Sequence, residues 1–147
     1  NGHRTDYTYT LKGQLKTIGL PGDEVTPAMK QFYQYNVKGL VAKLWDEFGS
    51  IETYEYDHAD RLTKKTRNNA AATSELAHQT FYDLNGRLAR EIDPMGNETL
   101  NTYDKVGRLL STKTTLKAAG REDLSKTVSH TYDLEGNLIS STDWLGN

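Results

Sequence analysis

One pattern of tyrosine, aspartate and glycine recurs along this 147-residue chain and limits what the chain can fold into. If a tyrosine is taken as position 0, aspartate tends to follow at +1, glycine at +4, arginine at +5 and an aliphatic residue at +6. Six tyrosines occupy position 0: Tyr9, Tyr35, Tyr56, Tyr82, Tyr103 and Tyr132. Every second one lies about 47 residues further along the chain. Self-similarity at a period of about 20 to 50 residues predicts a repeat array.

The period divides the chain into three double repeats, residues 1–48, 49–95 and 96–147. A glycine lies seven residues before each odd-numbered anchor tyrosine and marks the same step. The sequence does not begin with Met, and both of its ends fall at the same phase of the repeat. We therefore expect the three double repeats to be parts of one array in a longer protein.

Each repeat predicts a β-hairpin whose turn covers positions +1 to +4. Aspartate at +1 caps such a turn with its side chain, and glycine at +4 accepts the left-handed backbone conformation of a type I turn with a bulge. Asp60 replaces this glycine in the third repeat, and aspartate tolerates the same conformation. The predicted turn residues are Asp57 and Asp60, Asp83 and Gly86, Asp104 and Gly107, Asp133 and Gly136, and, in a second turn that follows the hairpin, Asp93 and Gly96.

In a hairpin with this turn, position 0 faces position +6 across the ladder, so each anchor tyrosine is predicted to pack on an aliphatic partner. These partners are Leu15, Val41, Leu62, Leu88, Leu109 and Leu138. Hydrophobic residues make up only 35% of the chain, so we expect the tyrosines to supply much of the core and their hydroxyls to find partners at its edge. One hairpin buries too little to be stable, so neighbouring hairpins must stabilise one another.

Two further features remain open at the level of sequence. Longer polar connectors, residues 21–31, 67–79 and 114–129, predict either loops or lengthened strand tips. The arginines at +5, namely Arg61, Arg87 and Arg108, are expected to pair with aspartates of neighbouring strands on the solvated face.

Composition excludes several classes of function. The net charge of −2 gives no electrostatic case for binding nucleic acid, and no apolar run is long enough to insert into a membrane. The chain lacks cysteine, its four histidines fall at unrelated repeat positions, and its aspartates do not follow a calcium-loop pattern, so we expect no metal or other cofactor. An enzyme would need one repeat with polar residues that the others lack, and no repeat has them, so no enzyme is predicted.

Two short motifs need separate interpretation. Asp93-Pro94-Met95-Gly96 is interpreted as a turn, because aspartate and glycine recur at this phase in Asp46-Glu47-Phe48-Gly49, where proline is absent. Asn97-Glu98-Thr99 matches the acceptor pattern for N-glycosylation, which has meaning only in a eukaryotic source.

The best-formed repeats resemble the YD repeats of the Rhs family. They are Phe81-Tyr82-Asp83-Leu84-Asn85-Gly86-Arg87-Leu88, Tyr103-Asp104-Lys105-Val106-Gly107-Arg108-Leu109 and Tyr132-Asp133-Leu134-Glu135-Gly136-Asn137-Leu138. The first two repeats depart from this pattern, with Thr10 and Asn36 in place of aspartate and Gln14 and Leu40 in place of arginine. The resemblance implies an all-β fold in which tandem hairpins form a continuous curved antiparallel sheet, as one segment of a hollow shell.

The resemblance also implies a structural role. The family includes bacterial Rhs polymorphic toxins, the C component of insecticidal toxin complexes and animal teneurins. Such membership implies a secreted or cell-surface protein, with a bacterial source favoured, whose partners are neighbouring repeats of the parent chain and an enclosed C-terminal toxin domain. A carbohydrate-binding or adhesive module is the alternative, because regularly spaced aromatic rings can stack on sugars.

Overall fold

The computed structural model describes residues 4–22, 27–68 and 76–146, in which all regular structure is β-strand. The strands are β1 (Asp6–Tyr9), β2 (Leu15–Leu20), β3 (Met29–Tyr35), β4 (Val41–Asp46), β5 (Ile51–Tyr56), β6 (Leu62–Asn68), β7 (Leu76–Tyr82), β8 (Leu88–Ile92), β9 (Glu98–Tyr103), β10 (Leu109–Leu116), β11 (Leu124–Tyr132) and β12 (Leu138–Thr142). The predicted all-β class is therefore confirmed. Within these ranges there is no helix that could cross a membrane.

The chain forms two compact units, residues 1–77 and 78–147. In the first unit β1 to β6 follow one another in chain order, and each strand pairs antiparallel with the next. In the second unit β7 to β12 do the same. Each unit is thus a meander in which every strand is bonded to its sequence neighbours. We number the hairpins 1 to 6, from β1–β2 to β11–β12.

All six hairpins place position 0 opposite position +6. The pairs are Tyr9 with Leu15, Tyr35 with Val41, Tyr56 with Leu62, Tyr82 with Leu88, Tyr103 with Leu109, and Tyr132 with Leu138. The register shifts by one residue next to each pair, which marks a β-bulge. The bulge follows from the left-handed residue at +4, and Asp60 adopts it at φ 63° just as the glycines do elsewhere. The predicted register and turn chemistry therefore match the structure.

The described residues contain no buried hydrophobic side chain, and Thr66 is the most buried residue, at 5% exposure. The expectation that tyrosines supply a core is therefore wrong in that form. Five anchor tyrosines are half-buried, while Tyr9 is 61% exposed. The physical reason is that the described part of each unit contains no second layer that could cover a sheet face. Shielding comes instead from the hairpins on either side.

The three connectors fall within the described residues to different extents. In the last one, residues 114–129, β10 and β11 remain paired out to Leu116 and Leu124, so only a short loop is left. This connector is a pair of lengthened strand tips. In the other two, β3 begins at Met29 and β6 ends at Asn68, but residues 23–26 and 69–75 lie outside the described part of the chain.

We expect Gly107→Ala to lower the free energy of unfolding by about 1–2 kcal/mol, because φ is +99° at this position and alanine is strained in the left-handed region. Gly107→Asn is the matched control, since asparagine tolerates this conformation and has a similar Cβ, so its loss is smaller. Urea unfolding measures both variants. Equal losses would show that contacts of the added Cβ, rather than backbone conformation, set the cost.

Candidate functional site: the junction between hairpins

The same hydrogen bond joins successive hairpins at the four junctions that lie within one unit. The tyrosine hydroxyl at position 0 donates to the backbone carbonyl of the +6 residue in the preceding hairpin. The bonds are Tyr35 to Leu15 (2.8 Å), Tyr56 to Val41 (2.9 Å), Tyr103 to Leu88 (2.8 Å) and Tyr132 to Leu109 (2.9 Å). Each +6 residue therefore contributes twice. Its side chain faces its own tyrosine, and its carbonyl accepts from the next one.

The carbonyl of the +6 residue is available for this bond because the ladder between hairpins does not reach it. Between hairpins 2 and 3 the paired residues run from Lys43 with Thr53 to Trp45 with Ile51, so Val41 lies beyond the ladder. A backbone carbonyl outside a ladder needs another partner. The hydroxyl of Tyr56 is that partner.

The arginines at +5 bind the aspartate of their own turn. The Nε atoms of Arg61, Arg87 and Arg108 donate to the Oδ2 atoms of their turn aspartates at 2.7, 2.7 and 2.6 Å. The predicted pairing with aspartates of neighbouring strands is therefore wrong. The tight turn brings residues four positions apart together, so the nearest carboxylate is the one in the same turn.

Two of these arginines also contact the next hairpin. The guanidinium of Arg87 lies 4.5 Å from the ring centre of Tyr103, and its Nη1 donates to the backbone carbonyl of Asp104 at 3.2 Å. Arg108 repeats the arrangement over Tyr132, at 4.8 Å. A cation above a tyrosine ring contributes about 0.5–1 kcal/mol at an exposed site. The arginine thus connects its own turn to the tyrosine that follows.

Hairpins 1 and 2 lack this arginine and use other polar side chains. Gln14 Nε2 donates to the backbone carbonyl of Gly39 at 3.4 Å. Lys38 Nζ donates to the carbonyl of His58 at 3.1 Å and forms an ion pair with Asp60 at 2.7 Å. The contact between adjacent turns is therefore retained where the repeat departs from its pattern.

Hydrogen bonds lower the pKa values of the turn aspartates. The Arg61 side chain is the main cause at Asp57, and the backbone N–H of Arg87 at Asp83. At Asp104 partial desolvation acts in the opposite sense, but the hydrogen bonds from Arg108 outweigh it. In each case Oδ1 also accepts two backbone N–H groups, as Asp57 does from Ala59 and Arg61. These carboxylates are engaged in capping their turns.

Hairpin 3 contains a polar cluster that the sequence reasoning missed. The Tyr54 hydroxyl donates to Glu52 at 2.5 Å, Lys65 Nζ lies 3.1 Å from the same carboxylate, and Arg67 lies 3.8 Å away. Burial raises the pKa of Glu52, but the hydrogen bonds from Tyr54 and Lys65 outweigh it and leave the pKa lowered. Burial, followed by the bond to Glu52, raises the pKa of Tyr54.

This cluster corrects the earlier statement that no repeat has polar residues that the others lack. The signal was present in the sequence, because positions −4, −2, +9 and +11 share one sheet face in the observed register. Tyr54, Lys65 and Arg67 each contact the Glu52 carboxylate, so the polar groups of the cluster interact with one another. Among the described residues no group of histidine and acidic side chains could hold a metal ion.

The two short motifs prove to be structural. Asp93-Pro94-Met95-Gly96 forms the turn between β8 and β9, closed by a hydrogen bond from the Gly96 N–H to the Asp93 carbonyl at 2.9 Å. Asn97 follows this turn. Its Nδ2 donates to Asp93 at 2.7 Å and its Oδ1 accepts from the Lys117 N–H at 2.8 Å. The asparagine of the glycosylation pattern is thus engaged at both ends of its amide.

Comparison with protein-family models gives a match to the RHS repeat at residues 35–72 and 82–122. A comparison with curated protein sequences gives no match. The fold is similar to crystal structures of TcdB2-TccC3 without its hypervariable C-terminal region (TM-score 0.69, 18% identity, 92% of this chain covered), TcdB2-TccC3-Cdc42 (0.70, 18%, 92%) and TcdB2-TccC3-TEV (0.69, 20%, 96%). The chain spans only 7–8% of the length of those three chains.

We expect Tyr56→Phe to lower the free energy of unfolding by about 0.5–1.5 kcal/mol, since it removes the hydrogen bond to Val41 and leaves the ring in place. Tyr9→Phe is the matched control. Tyr9 occupies the same repeat position, but its hydroxyl has no recorded hydrogen bond within the described ranges. Urea unfolding of both variants tests the junction bond, and an equal effect of the two substitutions would contradict its role.

Acid is expected to destabilise the fold. The turn aspartates have pKa values below the ordinary aspartate value of 3.8, so their contribution to stability is complete above that pH. It is lost as the pH falls below 3.8 through the folded pKa values. The contribution of these aspartates to the urea midpoint should therefore stay constant from pH 7 to 5 and then decrease towards pH 2.

The variant Asp104→Asn provides the control for this titration. Asparagine keeps the turn capped, as Asn36 does by accepting the backbone N–H groups of Lys38 and Leu40 at 3.0 Å. It lacks the titrating charge, so the variant should lose less stability between pH 5 and 2 than the unchanged protein. An identical acid dependence would exclude Asp104 as one source of the effect.

Proposed function

Because this chain belongs to the RHS repeat family, we propose that it forms a segment of the wall of a shell that encloses a toxic or effector domain of a secreted bacterial protein of the Rhs type. Its role in this proposal is structural rather than enzymatic. The three double repeats, residues 1–48, 49–95 and 96–147, are the successive pieces of wall. The six tyrosines at position 0 and their aliphatic partners at +6 are its structural anchors.

The observation that carries the proposal is the tyrosine–carbonyl bond at four junctions, two in each unit. The bond joins each hairpin to the one before it and leaves the next carbonyl available for a further hairpin. Such a rule sets no limit on the number of repeats. It therefore suits the building of a long sheet from a short sequence unit, as a shell wall requires.

The side chains suit a barrier better than a catalyst. The turn carboxylates of Asp57, Asp83 and Asp104 are engaged by backbone N–H groups and an arginine. The polar cluster around Glu52 is closed on itself. The mechanism in this proposal is compartmentation, in which continuous backbone hydrogen bonding separates an enclosed domain from its surroundings.

The matched structures support the proposal indirectly. One of them is a protein crystallised without its hypervariable C-terminal region, and the chain studied here corresponds in length to 7% of that protein. A hypervariable C-terminal region in a protein that has a segment of this fold fits an arrangement in which one shell holds different cargoes. We infer the same arrangement for the parent of this chain, with the neighbouring repeats and the enclosed domain as its partners.

Carbohydrate binding remains the alternative proposal. A surface depression of about 520 Å³ is lined by residues that include Tyr54, Tyr56 and Asp57. However, the Tyr56 hydroxyl is bonded to Val41, and both Asp57 oxygens accept hydrogen bonds from the turn. The depression therefore has few free polar groups for a sugar. Because these polar groups are already hydrogen-bonded, a structural role in a shell wall is favoured over carbohydrate binding.

Limited proteolysis of the full-length parent protein tests the enclosure. We expect its C-terminal domain to be cut at least tenfold more slowly within the intact parent than as a separate domain. A tenfold difference corresponds to about 1.4 kcal/mol in the free energy of exposing the cleavage site. Tyr56→Ala combined with Tyr103→Ala should reduce this protection by opening two junctions. His58→Ala, at an exposed turn, is the control and should leave protection unchanged.

Two outcomes would contradict the wall. One is a C-terminal domain that is digested equally fast inside the parent and alone. The other is saturable binding on a glycan array that is lost in Tyr7→Ala with Tyr9→Ala, which would favour the carbohydrate-binding module.

A further inference from the structure

The turns of each unit lie along the two long rims of its sheet, because the strands run across the sheet from one rim to the other. Turns that connect an odd-numbered strand to the next even-numbered strand share one rim, which we call the hairpin rim. The turns that connect β4 to β5 and β8 to β9 lie on the other rim, which we call the far rim. Side chains at the tips of these turns are the first groups that a neighbour beside the sheet would meet.

The tips of the hairpin rim carry exposed aliphatic side chains. Position +2 or +3 is leucine or valine in five of the six hairpins. Leu11, Val37, Leu84 and Leu134 are fully exposed, and Val106 is 77% exposed. Hairpins 2 and 5 are paired with a hairpin on either side, so the exposure of Val37 and Val106 is a property of inner repeats.

The far rim carries apolar tips as well. Phe48 lies at the tip between β4 and β5, and Met95 lies at the tip between β8 and β9; they are 57% and 80% exposed. A type I turn accepts most residues at its centre, so turn geometry does not require apolar side chains there. Single exposed apolar residues are common, whereas apolar residues that recur from turn to turn along a surface indicate an interaction site.

The spacing of the tips determines which partner fits them. Neighbouring strands lie about 4.8 Å apart, so the tips of the hairpin rim recur about every 9.6 Å and those of the far rim about every 19 Å. A row whose period is set by strand spacing is matched by a second row with the same origin. The fitting partner is therefore another stretch of β-hairpin repeats.

The width of the sheet gives an independent reason for such a contact. Strands β2, β4, β5 and β9 each contain six residues. Six residues of extended chain span about 20 Å. A 100-residue domain has a radius of gyration of about 13 Å and is therefore more than about 26 Å across. One width of sheet cannot cover such a domain on all sides, so a wall around it needs several widths that meet along their rims.

We propose that the hairpin rim of this chain packs against the far rim of another stretch of repeats in the same parent chain. The leucine and valine tips of one rim contact apolar tips of the kind represented by Phe48 and Met95 on the other. The inference rests on the proposed function and deepens it by naming the residues through which successive widths of the wall contact one another. The chain spans 7–8% of the length of the matched structures, so a parent of comparable length has room for further widths.

Photo-crosslinking in the full-length parent identifies the neighbour of the hairpin rim. Benzoylphenylalanine is placed at a tip, in place of Leu84 or Val106, or at the matched control position Thr102, which is exposed on a strand of hairpin 5. We expect irradiation to link positions 84 and 106 to far-rim turns of non-adjacent repeats within one parent molecule. Position 102 should give no such product. Mass spectrometry of the linked peptides identifies both partners.

Three outcomes of this experiment would overturn the proposal. They are links from positions 84 and 106 to the enclosed domain, links to a second parent molecule, and the absence of any link to other repeats. A link to the enclosed domain would leave the proposed enclosure standing while excluding the contact between rims. The two proposals therefore fail separately.

Hydroxyl-radical footprinting of the unchanged parent measures burial of the tips without any substitution. We expect Leu84 and Val106 to be oxidised several-fold more slowly in the folded parent than in the same protein unfolded in urea. Equal rates would show that the tips face water in the parent and would overturn the proposal. The enclosed domain takes no part in this measurement, so its result is independent of the proteolysis test.

Discussion

A hydrogen bond from a tyrosine hydroxyl to a backbone carbonyl of the preceding hairpin is the interaction on which the rest of the structure depends. The described residues include no buried hydrophobic side chain, so no apolar core holds the sheet together. One such bond contributes only about 0.5–1.5 kcal/mol net. The bond therefore stabilises the sheet by recurring at successive junctions, together with the strand pairing and the arginine that covers the next tyrosine ring. Stability of this kind is a property of the array and not of any one hairpin.

Much of the local geometry could be predicted from the sequence. The left-handed conformation at +4 follows from glycine, and at Asp60 from the tolerance of aspartate, whose φ is 63°. That conformation determines the bulge, and the bulge determines that Tyr56 faces Leu62. These features depend on residues close together in the chain, so the pattern contains the information needed.

Other features depend on whether a second layer covers the sheet and on which side chains adjacent hairpins bring close. The repeat pattern contains neither kind of information. The tyrosines were expected in a core, but a sheet without a covering layer leaves them half-buried. Arg87 was assigned a partner on a neighbouring strand, although its own turn brings Asp83 within 2.7 Å. The polar cluster around Glu52 was missed because Glu52, Lys65 and Arg67 lie at positions that the repeat pattern does not mark, on two different strands.

The departures of the first two repeats show which contacts tolerate substitution. Asn36 caps its turn with the same backbone N–H groups that an aspartate would bind. Gln14 and Lys38 reach the next turn with an amide and an ammonium group where later hairpins use arginine. The tyrosine–carbonyl bond is present at all four of these junctions, whatever residue stands at +5. The side chain that contacts the next turn therefore varies between repeats, whereas the tyrosine at position 0 does not.

The attachment of each arginine to its own turn has a consequence for the order of folding. Arg108 is held by Asp104 within hairpin 5, so its guanidinium is oriented by contacts that form before hairpin 6 exists. The carbonyl of Leu109 belongs to the same finished hairpin. A ribosome releases the chain from its N-terminus, and domains generally fold in that direction. Each newly emerged hairpin thus meets a template that is already in place, and the sheet can grow vectorially, one hairpin at a time, as the polypeptide is made.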